Sequence, residues 1–216
     1  MKRRFQMVSF WLAVLLALSG CSTPGQPEQT TAPTQPIGDL ICVEISRFSG
    51  GFVEDGLDEK VTDVAAILVS NETGKFVDLA TITYTVGEKK ATFRITGLPA
   101  GERVWVLEKD RLQLSEGDKL VFDECKVTYK EDPIRSTQSL AVTREGNTLT
   151  ITNVSEHTLN NVCVYYKNRM EDGSFFGGIT YLINFGRMEA GETMQRSADH
   201  FGEKSTIVRY SFQTSE

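Results

Sequence analysis

Val69-Ser70-Asn71-Glu72-Thr73 returns as Ile151-Thr152-Asn153-Val154-Ser155, at an offset of 82 residues. In both, an apolar, β-branched run stops at an Asn, and a hydroxyl residue stands two positions on. An Asn at the end of a strand can bond the backbone of the turn that follows. At the same offset Val77, Ala80, Ile82 and Tyr84 fall on Leu159, Val162, Val164 and Tyr166. Further on, Leu98-Pro99-Ala100-Gly101-Glu102 matches Met188-Glu189-Ala190-Gly191-Glu192 at an offset of 90, with Phe93 and Ile95 on Ile183 and Phe185, and Leu120 and Phe122 on Tyr210 and Phe212. The rise from 82 to 90 is an eight-residue insertion in the second copy, around Met170 to Gly178. An internal repeat of this length marks duplicated structural units.

The pattern within each copy is β. Ile41, Val43 and Ile45 alternate with Cys42 and Glu44, Val77 to Tyr84 is rich in β-branched residues, and Phe93 and Ile95 alternate with Thr92 and Arg94. No apolar period of 3.6 is sustained after residue 40. Turn residues punctuate the runs, among them Gly50-Gly51, Gly87, Gly101, Gly146-Asn147, Asp172-Gly173 and Gly191. Without helices to cover a sheet, two apolar faces must pack on each other. The expected fold is all-β: two tandem antiparallel sandwiches over 39–131 and 134–216, with Asp132-Pro133 at the junction. Gly101 and Gly191 are expected to supply a positive φ.

The first 38 residues are of another kind. Lys2, Arg3 and Arg4 precede an apolar stretch from Val8 to Leu18. It is too short for a spanning helix, which takes roughly 20 residues, and right for a signal-peptide core. It ends in Leu18-Ser19-Gly20-Cys21, which resembles the lipobox of bacterial lipoproteins. The resemblance implies a signal peptide over 1–20, cleavage between Gly20 and Cys21, and a diacylglyceryl group on the Cys21 sulfur. Two acyl chains make a stable anchor. The protein would then sit at the cell membrane on its extracytoplasmic face, with the membrane as partner through that lipid. Residues 21–38 carry Pro24, Pro27, Pro33 and Pro36 among Thr, Gln and Gly. They read as a disordered tether with a reach of roughly 50 Å at about 3.1 Å per residue.

Each copy also resembles bacterial immunoglobulin-like sandwich domains of the FxLYD type. The shared features are the strand ending in Asn with Ser or Thr, the alternating apolar strand, and the Leu/Met-x-Ala-Gly-Glu turn. The literal Leu-Tyr-Asp signature is absent. The resemblance implies an Ig-like fold and a surface module without a known reaction, and it carries over no functional residues.

Removal of 1–20 leaves 196 of the 216 residues, with 20 basic and 29 acidic side chains, a net charge of −9. That surface disfavours nucleic acid. Beyond Cys21 there are three cysteines, Cys42, Cys125 and Cys163, an odd number in a compartment that permits disulfides. Cys42 and Cys125 fall in the first and last strands of one domain and are the candidate disulfide. The alternative is three buried small hydrophobes.

Little in the chain suggests catalysis. Ser197, Asp199 and His200 are neighbours in one loop and cannot easily adopt the nucleophile–base–orienter geometry. His157, the other histidine, reads as a loop residue. The acidic run Glu54-Asp55-Gly56-Leu57-Asp58-Glu59 is dense enough in carboxylates for a weak calcium site, but it lacks the spacing of an EF-hand, and the favoured reading is a solvated loop. No Walker loop, GxGxxG, HExxH or GxSxG occurs. No catalytic residue, metal or cofactor is expected. Within the insertion, Phe175 and Phe176 are adjacent, and neighbours on a strand face opposite sides. One of them is therefore a candidate exposed contact for a protein or envelope partner, and the alternative is packing on the sandwich edge or the other domain. The expected function is a non-enzymatic, lipid-anchored interaction module. Two other readings are an accessory subunit presenting a ligand to a membrane transporter and an unrecognised extracellular hydrolase.

Overall fold

The computed structural model describes residues 28–30, 34–51, 60–131 and 138–214. The signal segment, Cys21, the run 54–59 and Asp132-Pro133 lie outside the described residues. The described chain is almost entirely strand, with no α-helix, and its sheets pack as an all-β sandwich fold.

The first half holds β1 (Glu28–Thr30), β2 (Gln35–Ile37), β3 (Leu40–Gly51), β4 (Lys60–Ser70), β5 (Phe76–Val86), β6 (Lys89–Leu98), β7 (Arg103–Leu107) and β8 (Val121–Lys130). The second half holds β9 (Leu140–Glu145), β10 (Thr148–Asn153), β11 (Leu159–Arg169), β12 (Phe175–Met188), β13 (Thr193–Ser197) and β14 (Ser205–Thr214). Strand order is β3-β4-β7 against β6-β5-β8 in the first half, and β9-β10-β13 against β12-β11-β14 in the second. The two halves therefore repeat one topology strand for strand. One apolar cluster fills each: Ala65, Ile67, Val69, Ile82, Tyr84, Phe93 and Ile95 in the first, Leu149, Ile151, Val162, Val164, Ile183 and Phe185 in the second.

The repeated Asn anchors each copy in the same way. Asn71 Nδ2 donates to the carbonyls of Lys75, Leu98 and Pro99 at 2.8, 3.0 and 3.0 Å. Its Oδ1 accepts from the Thr73 N–H and hydroxyl at 3.2 and 2.7 Å. Asn153 Nδ2 donates to His157, Met188 and Glu189 at 2.8, 3.2 and 3.0 Å, and Oδ1 accepts from the Ser155 N–H and hydroxyl at 3.0 and 2.7 Å. Both side chains are fully buried and fully bonded, which is what a buried amide requires. Gly101 and Gly191, at φ of 77° and 76°, each donate to the Asn carbonyl and close the same loop.

Two departures from the sequence reading concern the first half. The segment expected to be a disordered tether to residue 38 is strand at Glu28–Thr30 and Gln35–Ile37, both antiparallel to β3, and Ile37 is fully buried in the core. Pro36 is tolerated there because an edge strand has no ladder bond to lose on its outer side. Strand β4 is buried on both faces. Ala65, Ile67 and Val69 point into the sandwich, while Val64, Ala66 and Leu68 join Phe48, Trp105 and Leu107 in a second apolar layer outside it.

That outer layer is covered by the second half. The insertion forms the turn after β11 and the start of β12, and Phe175 and Phe176 pair in parallel with Val104 and Trp105 of β7. The halves thereby share one sheet, in the order β1-β3-β4-β7-β12-β11-β14. In β7 the residues that meet β12 are Val and Trp. The topologically equivalent β13, Thr193-Met194-Gln195-Arg196-Ser197, is polar and pairs only with β10 among the described strands.

Candidate functional site

Of Phe175 and Phe176, the expected partner contact, the first is turned fully inward and the second is half-buried. Phe175 has no exposed surface and belongs to the core cluster of the first half. Phe176 packs on Phe48 with ring centroids 5.3 Å apart, beside Met170 over the outer apolar layer. Adjacent strand residues do face opposite sides here. Both sides are apolar because β12 lies between two clusters of the other half. The partner that these aromatics meet is the first sandwich.

Charged groups fasten the same junction. Arg169, the last residue of β11, forms a two-pronged pair with Glu102 at 2.8 and 2.9 Å, donates to Thr206 Oγ1 at 3.0 Å, and lies over the Phe175 ring at 4.2 Å. The Glu102 hydrogen bond holds the guanidinium pKa above its usual value. In the second copy the matching Glu192 caps its own turn, accepting from the Glu189 N–H at 2.7 Å. The position equivalent to Glu189 is Pro99, which has no N–H to offer. Glu102 is thereby released from the turn and reaches across to Arg169. Lys167 is buried, and its Nζ donates to the carbonyls of Gly177, Gly178 and Ile179 at 3.0, 2.9 and 2.8 Å. Those carbonyls belong to the irregular stretch of β12 between its pairing with β11 at Phe176 and the resumption of that pairing at Tyr181. A Cβ on Gly178 would stand 1.9 Å from the Arg94 carbonyl oxygen, so β12 and β6 approach there as only glycine allows.

Beside this sealed seam the halves diverge into an open groove of 470 Å³. Asp78 and Leu79 of β5, Thr96 and Gly97 of β6, Tyr165 of β11, Ile179 and Thr180 of β12, and Val208 and Arg209 of β14 line it. Its floor is closed by bonds between the halves: the Thr180 N–H donates to Thr96 Oγ1 at 2.8 Å, and the two hydroxyls are 3.2 Å apart. Arg209 donates to Asp78 at 3.0 Å and lies over the Tyr165 ring at 4.8 Å. Leu79 and Ile179 are 40% and 38% exposed, and Leu182, paired to Tyr165, is 52% exposed. Two of the five exposed large hydrophobic residues among the described ones thus line this groove, and Leu182 stands next to it as the strand partner of Tyr165; the others are Val121 and Val154.

Cys42 and Cys125 are not bridged, and with Cys163 they are free thiols. Their strands lie in opposite sheets. The Cys42 thiol is instead satisfied locally, by the Glu44 carbonyl at 3.5 Å and by the Tyr84 hydroxyl. Burial pushes the Cys42 thiol up and that of Cys125 to about 11. The residues considered for catalysis are apart in their contacts. Ser197 shares a hydrogen bond with Thr148 at 2.9 Å, the His200 ring sits 5.6 Å from that of Tyr181, and His157 lends its carbonyl to Asn153. Among the described residues no group of three or more His, Cys, Asp or Glu is placed to hold a metal.

One carboxylate is poorly served. Glu44 Oε1 on β3 is buried without a hydrogen-bond partner. Burial, followed by the negative charge of Asp172 in the insertion, raises the Glu44 pKa above its usual value.

No family model matches the chain, and no curated protein matches it.

Proposed function

We propose that the chain is a lipid-anchored extracytoplasmic binding module without catalytic activity, and that it takes an extended segment of a partner protein in the groove between its two sandwiches. The observation that carries this reading is that exposed Leu79 and Ile179 line the groove with Tyr165 and the Arg209–Asp78 pair, with exposed Leu182 beside it as the strand partner of Tyr165. Exposed apolar side chains ringed by polar groups mark contact surfaces. The groove continues the seam between the halves, so its walls already have the composition of a protein–protein interface. Strand β14 beside it pairs only with β11 among the described strands, and its other edge has backbone groups to offer an added strand. The anchor rests on the lipobox at Leu18-Ser19-Gly20-Cys21.

A photo-crosslinker at Ile179 in native membranes tests the reading. A discrete protein adduct, lost in Leu79→Ser with Leu182→Ser and absent with the crosslinker at Val121, is the expected result. Equal adducts at Ile179 and Val121 would remove the groove from consideration.

A further inference from the structure

The described strands fix which end of the molecule is nearest an anchor at Cys21. This inference rests on the lipobox reading. Glu28 lies opposite Arg47 and Thr30 opposite Ile45 in antiparallel pairing, so β1 begins on the Gly51 side of β3. That level crosses both sheets. Arg47 pairs with Ala65, the Glu108 N–H donates to the Ala65 carbonyl at 2.8 Å, and Glu108 Oε1 accepts from the Thr92 N–H at 3.0 Å. The β5–β6 turn at Gly87-Glu88 lies beyond Thr92 on the same side. The groove is at the opposite end, where Thr96 and Gly97 precede the Leu98 carbonyl held by Asn71. Glu88 and Gly97 are nine residue steps apart, about 30 Å at the strand rise. Cys21 and Glu28 are seven residue steps apart, which span at most about 25 Å.

We infer that the Glu88 and Gly51 end of the first sandwich is held close over the bilayer, and that the groove and the second sandwich are presented away from it. The groove then serves a protein segment approaching from outside the membrane, and lipid does not reach it. The pairing of residues 28–30 and 35–37 with β3 is decisive. It shortens the free reach that an unstructured tether over residues 21–38 would have left.

The experiment uses the full-length protein purified with its lipid and reconstituted in phosphatidylcholine vesicles that carry an acceptor dye on the headgroups. A donor dye is placed through an encoded azide at Glu88 or at Leu182, both exposed. Transfer from Glu88 several-fold stronger than from Leu182 is expected. Equal transfer, or stronger transfer from Leu182, on a protein whose intact mass includes the diacylglyceryl group overturns the orientation alone. An intact mass without that group overturns the anchor, and the orientation with it.

Discussion

Arg169 and Glu102 meet as a two-pronged ion pair across the two halves, with nitrogen–oxygen distances of 2.8 and 2.9 Å and each side chain about 30% exposed. Such bidentate geometry is the stronger kind of surface-proximal pair. A double-mutant cycle with Arg169→Met and Glu102→Gln is expected to give a coupling of about 1–2 kcal/mol in urea unfolding. The matching Glu192→Gln acts only on its own turn and shows no coupling to Arg169.

The seam should make the halves unfold together. Phe175 is a core residue of the half to which it does not belong by sequence. Phe175→Ala is expected to cost about 3–5 kcal/mol. Trp105 is the one tryptophan after residue 20, and it sits in the apolar layer under Phe176. Its emission should shift to the red in Phe176→Ala, while in the native protein fluorescence and circular dichroism report one coincident thermal transition. Two separated transitions in the native protein would contradict the interlock.

Asn71 and Asn153 each hold three carbonyls and accept twice. Asn71→Ala and Asn153→Ala are each expected to lose more than about 3 kcal/mol, because several buried groups are left unbonded at once. Asn71→Asp should be no better, since a carboxylate cannot donate to the carbonyls of Lys75, Leu98 and Pro99.

Glu44 should work against the fold at neutral pH. Its folded pKa is raised, so the folded state holds the proton more tightly than the unfolded one. Stability therefore falls as pH rises from the usual 4.5 through the folded value. Glu44→Gln removes the charge beside the unbonded Oε1 and is expected to raise the urea midpoint at pH 7. The gain disappears in acid, where wild-type Glu44 is neutral too. An equal gain at both ends of the range would assign the effect to packing.

Alkali should destabilise through Cys125 and Tyr129. Burial lifts Cys125 from 9.0 to about 11 and, with the hydroxyl donated to Asp39 at 2.8 Å, Tyr129 from 10.0 to about 12. The unfolded chain ionises first, so stability is lost as pH rises from 9.0 toward 11 and 12. The urea midpoint measured across that window should fall, and Cys125→Ala should flatten its first part.

The β character, the repeat and the position of the insertion were legible because they live in local pattern: alternation, a recurring Asn, and a jump in offset. The groove was not legible, since Asp78 and Arg209 are 131 residues apart and meet only when the halves pack. The packing of Phe175 and Phe176 on the first half stood as an alternative to an exposed contact, and reasoning on one strand at a time could not choose between them. A signal did exist in Val64-Ala65-Ala66-Ile67-Leu68-Val69, where six apolar residues in a row, bounded by polar ones, describe a strand covered on both faces. Something had to cover the outer side, and the insertion carried the aromatics to do it. The three-residue strand at Gln35–Ile37 was masked by proline-rich composition, with Ile37 as its single apolar mark.

Duplicated domains are commonly interchangeable beads: either order folds, and further copies can be strung on. Here the insertion has made the copies into lock and key. The first owns the apolar strand β7 and a glutamate freed by Pro99, and the second owns the hairpin and Arg169 that fit them. Reversing the order of the copies would place the key ahead of the lock, and a third copy of the second kind would find the polar β13 in the place that β7 holds in the first copy. The duplication has ended as a closed pair, of fixed order and fixed number.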